Sequence, residues 1–89
     1  MISQTTKSFR RAFAQLPADV QDRAREAFRL FSADPSYPGL QFKKVHGTRP
    51  VYSARISKDY RAVCVLRGGE ATWFFIGSHA NYDRLLKTL

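Results

Sequence analysis

Residues 43–67 read KKVHGTRPVYSARISKDYRAVCVLR, and their alternation decides the fold. Tyr52, Ala54 and Ile56 point one way; Val51, Ser53 and Arg55 point the other. Tyr60, Ala62, Cys64 and Leu66 alternate in the same manner with Arg61, Val63, Val65 and Arg67. A period of two is the signature of a β-strand with two distinct faces. Only three residues separate Ile56 from Tyr60, too few for a crossover, so the two runs must pair antiparallel.

The pattern extends in both directions. On the C-terminal side, Gly68-Gly69 is a two-residue hairpin signal, because both glycines accept positive φ. Ala71–Gly77 follows, apolar on both faces, which predicts a central strand. Ser78 is placed to cap a last helix carrying Tyr82, Leu85, Leu86 and Leu89. On the N-terminal side, Leu40 and Phe42 alternate with Gln41 and Lys43 and predict a further short strand. Before Pro38-Gly39 the period becomes helical: Phe9, Ala12, Phe13 and Leu16 are spaced i, i+3, i+4, i+7 behind Thr5 or Thr6. Pro17 opens a second helix with a stripe of Val20, Ala24, Ala27, Phe28 and Phe31, stopped by Ser32–Pro35. The expected fold class is α+β. An N-terminal antiparallel helix hairpin packs on a four-stranded antiparallel sheet, and a short C-terminal helix follows. Met1–Gln4 is a weak candidate for a fifth, edge strand.

Eighty-nine residues predict one domain, spanning 1–89. The chain carries fifteen Lys and Arg against seven acids, a net charge of +8, and residues 43–67 alone hold seven basic groups and one acid, Asp59. Such a surface attracts a polyanion, an anionic membrane or an acidic protein. No apolar run approaches the length of a membrane span, and MISQTTKSFRR lacks the hydrophobic stretch of a secretory signal. The single Cys64 fits a reducing compartment and predicts a plain buried thiol. The acids do not cluster with His46 or His79 at metal-ligand spacing, so no metal or other cofactor is expected. Gly68-Gly69 is a turn and not a phosphate loop.

What remains is phosphodiester chemistry with a polyanion that brings its own nucleophile, the 2′-OH of RNA. Such a reaction needs a proton acceptor, a charge donor for the phosphorane and a proton for the leaving oxygen. Lys43, Lys44, Arg55 and Arg61 suit the charge; His46 and His79 suit proton transfer near neutral pH. Tyr60 or Tyr82 suits base stacking. Each has an ordinary structural reading as well. Lys43 and Lys44 suit edge-strand protection, Arg61 a pairing with Asp59, His46 a turn, and Tyr82 the apolar stripe of the last helix.

Four segments together resemble the RelE/ParE superfamily of bacterial type II toxins: FRRAFAQLPADVQDRAREAFRLFSADP, GLQFKKVHG, VYSARISKDYRAVCVL and FFIGSHANYDRLL. The resemblance runs from Phe9 to about Leu86. In its RelE-like branch it implies a cytoplasmic, ribosome-dependent mRNA endoribonuclease that needs no metal and is silenced by a cognate antitoxin. It implies Arg55 for phosphate charge, His79 for proton transfer and Tyr82 for substrate orientation. Lys43 and Lys44 then contact RNA, with His46 and Arg61 beside them. Ribosome, mRNA and antitoxin are the implied partners; a membrane is not. The sequence departs from some nuclease branches, which place a glutamate base on the sheet: no acid lies between Asp34 and Asp59. The ParE-like branch implies a DNA gyrase inhibitor instead. A member retaining only RNA or antitoxin binding is the third possibility.

Overall fold

The computed structural model describes all residues, Met1–Leu89. Its elements are β1 (Ile2–Thr5), α1 (Lys7–Ala14), α2 (Ala18–Ala33), a 3-10 turn (Pro38–Leu40), β2 (Lys43–Lys44), β3 (Val51–Ser57), β4 (Tyr60–Arg67), β5 (Glu70–Ser78) and α3 (His79–Thr88). The sheet has five strands in the order β1-β5-β4-β3-β2.

The helix hairpin forms as its sequence dictates. Thr6 is the α1 cap, its Oγ1 accepting from the Phe9 N–H at 3.1 Å. Gln21 ties the hairpin, its Nε2 donating to the Phe13 and Leu16 carbonyls at 3.1 Å each. Phe9, Val20, Ala24, Ala27 and Phe31 then bury against the sheet face that carries Ala54, Ala62, Cys64, Trp73 and Ile76. Trp73 is 1% exposed and lies edge-on to Phe28 and Phe31, with centroids 5.0 and 5.2 Å away. Burial of a ring this size contributes on the order of 4–6 kcal/mol as an upper estimate. The opposite face holds a smaller cluster of Val51, Val63 and Tyr82 under α3.

Two expectations are corrected. The fifth, edge strand considered at Met1–Gln4 is present as β1, and it makes the sheet mixed, because β1 pairs parallel to β5 with Ile2 opposite Glu70 and Thr5 opposite Trp73. All four β1 residues are exposed, so side-chain patterning could not announce the strand. Backbone pairing holds it, with the Thr6 N–H donating to the Trp73 carbonyl at 3.0 Å and Trp73 Nε1 to Ser3 Oγ at 3.3 Å. The strand expected at Leu40 and Phe42 is reduced to Lys43–Lys44. Pro38 cannot donate to a ladder, and Gln41 takes the left-handed conformation at φ 45°, so the chain turns away from the sheet. Leu40 and Phe42 still bury their apolar groups, Phe42 stacking on Tyr52 at 5.1 Å.

The remaining strands follow chain order. Gly68 and Gly69 make the β4–β5 turn with φ of 57° and 78°, the conformation that calls for glycine there. β5 lies between β1 and β4, central as its two apolar faces require.

Candidate functional site

Residues directly opposite in an antiparallel pair share a face of the sheet. Lys43 is opposite Ser53, Arg55 opposite Arg61, and Arg61 opposite Gly77. Arg55, Arg61 and Gly77 therefore form one row across the sheet, with Lys43 and Ser53 in the neighbouring row, on the face that α3 partly covers. Lys44 is opposite Tyr52 and belongs to the other face.

The row places two guanidinium side chains directly across from each other, an arrangement that costs energy unless something negative intervenes. No carboxylate of the chain does so. The two Lys/Arg–carboxylate pairs, Arg25–Asp22 and Arg29–Glu26, both lie on α2. Arg61 spreads part of its charge over backbone oxygens: its Nη1 donates to the carbonyls of Ser57 at 2.7 Å, Tyr60 at 3.0 Å and Lys58 at 3.3 Å. This folds Arg61 onto the β3–β4 turn instead of pairing it with the Asp59 side chain. Its Nη2 and Nε make no bond within the chain, and Arg55 makes no side-chain hydrogen bond at all. Arg55 also borders a hollow of about 190 Å³ with Arg23, Glu26 and Tyr37, at the edge where β2 has ended.

The start of α3 is fastened beside this row. The His79 N–H donates to the Asp59 carbonyl at 2.7 Å, which joins the helix to the turn that Arg61 grips. Ser78 caps the helix, accepting from the Asn81 N–H at 3.2 Å. With these two first-turn N–H groups already bonded, what the α3 N-terminus offers an anion is chiefly its dipole. The His79 ring is about half exposed, with Nδ1 3.1 Å from Asp83 Oδ2. Its edge lies against Tyr82, with centroids 5.5 Å apart. Tyr82 itself is 5% exposed, and its hydroxyl donates to Ser53 Oγ at 3.0 Å. Ser53 is 2% exposed, lies opposite Lys43, and precedes Arg55 by two residues on the same face of β3. The tyrosine thus supports the histidine from below; its hydroxyl is committed to the sheet and does not face an open base-binding surface.

The structure puts Lys43, Arg55 and Arg61 on the face where His79 stands over the Tyr82–Ser53 floor, while the hollow that Arg55 borders opens against α2. It does not bring His46 there. His46 lies in the loop before β3, beyond the far end of that strand from Arg55. Its Nδ1 accepts from the Thr48 and Arg49 N–H groups at 3.2 and 2.9 Å, so the ring closes a turn. Arg49 and Arg67 border a separate hollow of about 550 Å³ at that end. Cys64 is fully buried on the opposite face, and burial pushes its pKa up to about 12, so the thiol is inert at neutral pH. No group of three or more His, Cys, Asp or Glu side chains converges to hold a metal ion. What this face does carry is guanidinium and imidazole beside a helix N-terminus, a set suited to an oxyanion.

The family model of the ParE-like toxin domain matches residues 18–84. This chain belongs to that family. The ParE-like domain also shares its fold with solved toxin–antitoxin proteins. It is 18% identical, with a TM-score of 0.74, to a chain of the RelB-RelE antitoxin-toxin complex from Methanococcus jannaschii, covering 91% of this chain and 96% of that one. Against the archaeal RelE-RelB complex from Pyrococcus horikoshii the identity is 20% and the TM-score 0.71, over 86% and 92% of the two chains. The YoeB/ParE toxin from Agrobacterium tumefaciens gives 16% and 0.72, over 89% and 99%. At these identities the likeness is one of fold. No curated protein sequence matches the ParE-like chain.

Three site residues escaped the sequence reading. Asp83 is the partner of His79, and its i, i+4 spacing was a visible signal. Ser53 and the Asp59 carbonyl matter only through contacts with α3, twenty or more residues away along the chain, and nothing local marks them.

Proposed function

We propose that this protein is the toxin of a type II toxin–antitoxin pair and cleaves mRNA on the ribosome. The observation that carries the reading is the opposed Arg55 and Arg61, unneutralised by any carboxylate, beside the α3 N-terminus and the exposed His79. A phosphodiester seated on the two arginines has its developing phosphorane charge met by the guanidinium groups and the α3 dipole. Neutral His79 takes the 2′-OH proton, and the 2′-oxygen attacks phosphorus. The bond from phosphorus to the 5′-oxygen breaks, and the leaving oxygen is protonated from water. The products are a 2′,3′-cyclic phosphate and a 5′-hydroxyl end, with no external nucleophile consumed. Lys43 holds the neighbouring backbone. The reading places the protein in the cytoplasm, where ribosomes are, under an antitoxin whose acidic segments meet the basic face.

Two features support this over simple RNA binding: the histidine stands about half exposed at the anion site, and its ring is oriented by two contacts. The ParE-like description of the family keeps a second reading in play, inhibition of DNA gyrase by binding alone. Purified protein added to a reconstituted translation system, with mRNA 5′ ends mapped, separates the two. New 5′-hydroxyl ends that vanish in Arg55→Ala and His79→Ala support cleavage. Intact mRNA together with blocked supercoiling in a parallel gyrase assay sinks it in favour of the second reading. Co-expression with an antitoxin should relieve growth arrest in either case.

A further inference from the structure

The two histidines of this chain are held by opposite kinds of partner. His46 Nδ1 receives two backbone N–H groups, so that nitrogen carries no proton and the neutral ring holds it on Nε2. His79 Nδ1 faces the Asp83 carboxylate at 3.1 Å. An ionised carboxylate only accepts, so here the proton must sit on Nδ1 and the lone pair on Nε2. The ring cannot swing freely out of this arrangement. Its backbone N–H is tied to Asp59, one edge rests on Tyr82, and the Tyr82 hydroxyl is tied to Ser53.

We infer that Asp83 is a positioning residue that fixes His79 as its Nδ1–H tautomer and leaves Nε2 as the atom that exchanges protons at the anion site. Asp83 reaches the reacting atoms only through the histidine. When Nε2 takes a proton, the ring becomes an imidazolium, and the carboxylate already on Nδ1 stabilises it. The tautomer stands on the geometry alone; its use in proton transfer rests on the cleavage reading above.

The test reads the tautomer directly. Full-length protein labelled with ¹⁵N-histidine is placed in alkaline solution, where both rings are neutral, and two-bond ¹⁵N–¹H correlations are recorded. His79 should show a protonated Nδ1, and His46 a protonated Nε2 as the internal reference. Asp83→Ala should return His79 to a mixture dominated by Nε2–H and leave His46 unchanged; Asp83→Glu should restore Nδ1–H in part. Asp83 is more than half exposed, so neither change should unfold the domain. A His79 ring already protonated on Nε2 in the parent protein, or unmoved by Asp83→Ala, overturns the assignment whether or not the protein cuts RNA. The kinetic arm is separate. Asp83→Ala should lower kcat about 5-fold with KM unchanged, roughly 1 kcal/mol on the barrier. The same change should have no further effect in a His79→Ala background. A loss that persists without His79 shows that Asp83 does not act through the ring.

Discussion

The Tyr82–Ser53 hydrogen bond is the contact by which α3 grips the sheet, and its removal has a calculable cost. Ser53 is 2% exposed, and its hydroxyl has one partner, the Tyr82 hydroxyl at 3.0 Å. Tyr82→Phe keeps the ring against His79 and Val63 but leaves Ser53 Oγ buried and unpaired. An orphaned buried hydroxyl costs about 1–3 kcal/mol. A domain of this length has roughly 4–13 kcal/mol of stability in all, so the change is a large fraction of it. At about 4–8 °C per kcal/mol for a chain this size, Tm should fall by about 4–24 °C. Ser53→Ala should cost a similar amount by orphaning the tyrosine. The double variant Ser53→Ala/Tyr82→Phe should be no less stable than either single one, because it removes both polar groups together. Circular dichroism melts of the four proteins check this. Additivity of the two single effects within about 0.5 kcal/mol would refute the reasoning, since uncoupled sites behave that way. Below both transitions, Tyr82→Phe should retain the parent's cleavage rate. A loss there would restore a substrate contact for the hydroxyl.

Three further outcomes follow from particular side chains. If about four basic groups contact phosphate, single-stranded RNA binding should show a log–log salt slope near −3, by roughly −0.7 per contact. Lys43→Ala should make it shallower by about 0.7, whereas Lys44→Ala, on the opposite face, should change it less; equal effects would remove the argument from facing. Cys64 should resist alkylation in the native state. Its folded pKa of about 12 stands above the ordinary 9.0, so the unfolded thiol ionises first. Its contribution is therefore intact below pH 9.0 and is lost as pH rises toward about 12. The slope from this group is roughly 1.4 kcal/mol per pH unit, and Cys64→Ala should flatten that limb of a denaturation series. Gly69→Ala, at φ 78°, should cost about 1–2 kcal/mol by urea denaturation, and an unchanged midpoint would show that the turn adapts.

The sequence by itself determined the elements whose side chains record their surroundings. Alternation wrote β3 and β4 because each has one face on the helix hairpin and one on α3 or solvent, and a run apolar on both faces wrote the central β5. The spacing of Phe9, Phe13, Val20, Ala24 and Phe31 wrote the helices because one stripe of each is buried. Ser78 and Gly68-Gly69 wrote a cap and a turn because those conformations demand particular residues. Only the tertiary structure decided the rest. β1 is held by backbone hydrogen bonds, which every residue can make, so Ile2–Thr5 carries no side-chain mark of the strand. Leu40 and Phe42 alternate like a strand, yet they plug the core from a turn, because burial needs an apolar side chain and not a ladder. The basic and histidine residues were legible one by one, but alternation does not tell which of them meet. Strand register put Lys43, Arg55 and Arg61 on one face and sent Lys44 to the other. The fold then brought α3 across the sheet to seat Tyr82 on Ser53 and tie the His79 N–H to the Asp59 carbonyl, contacts that depend on distance in space and not along the chain.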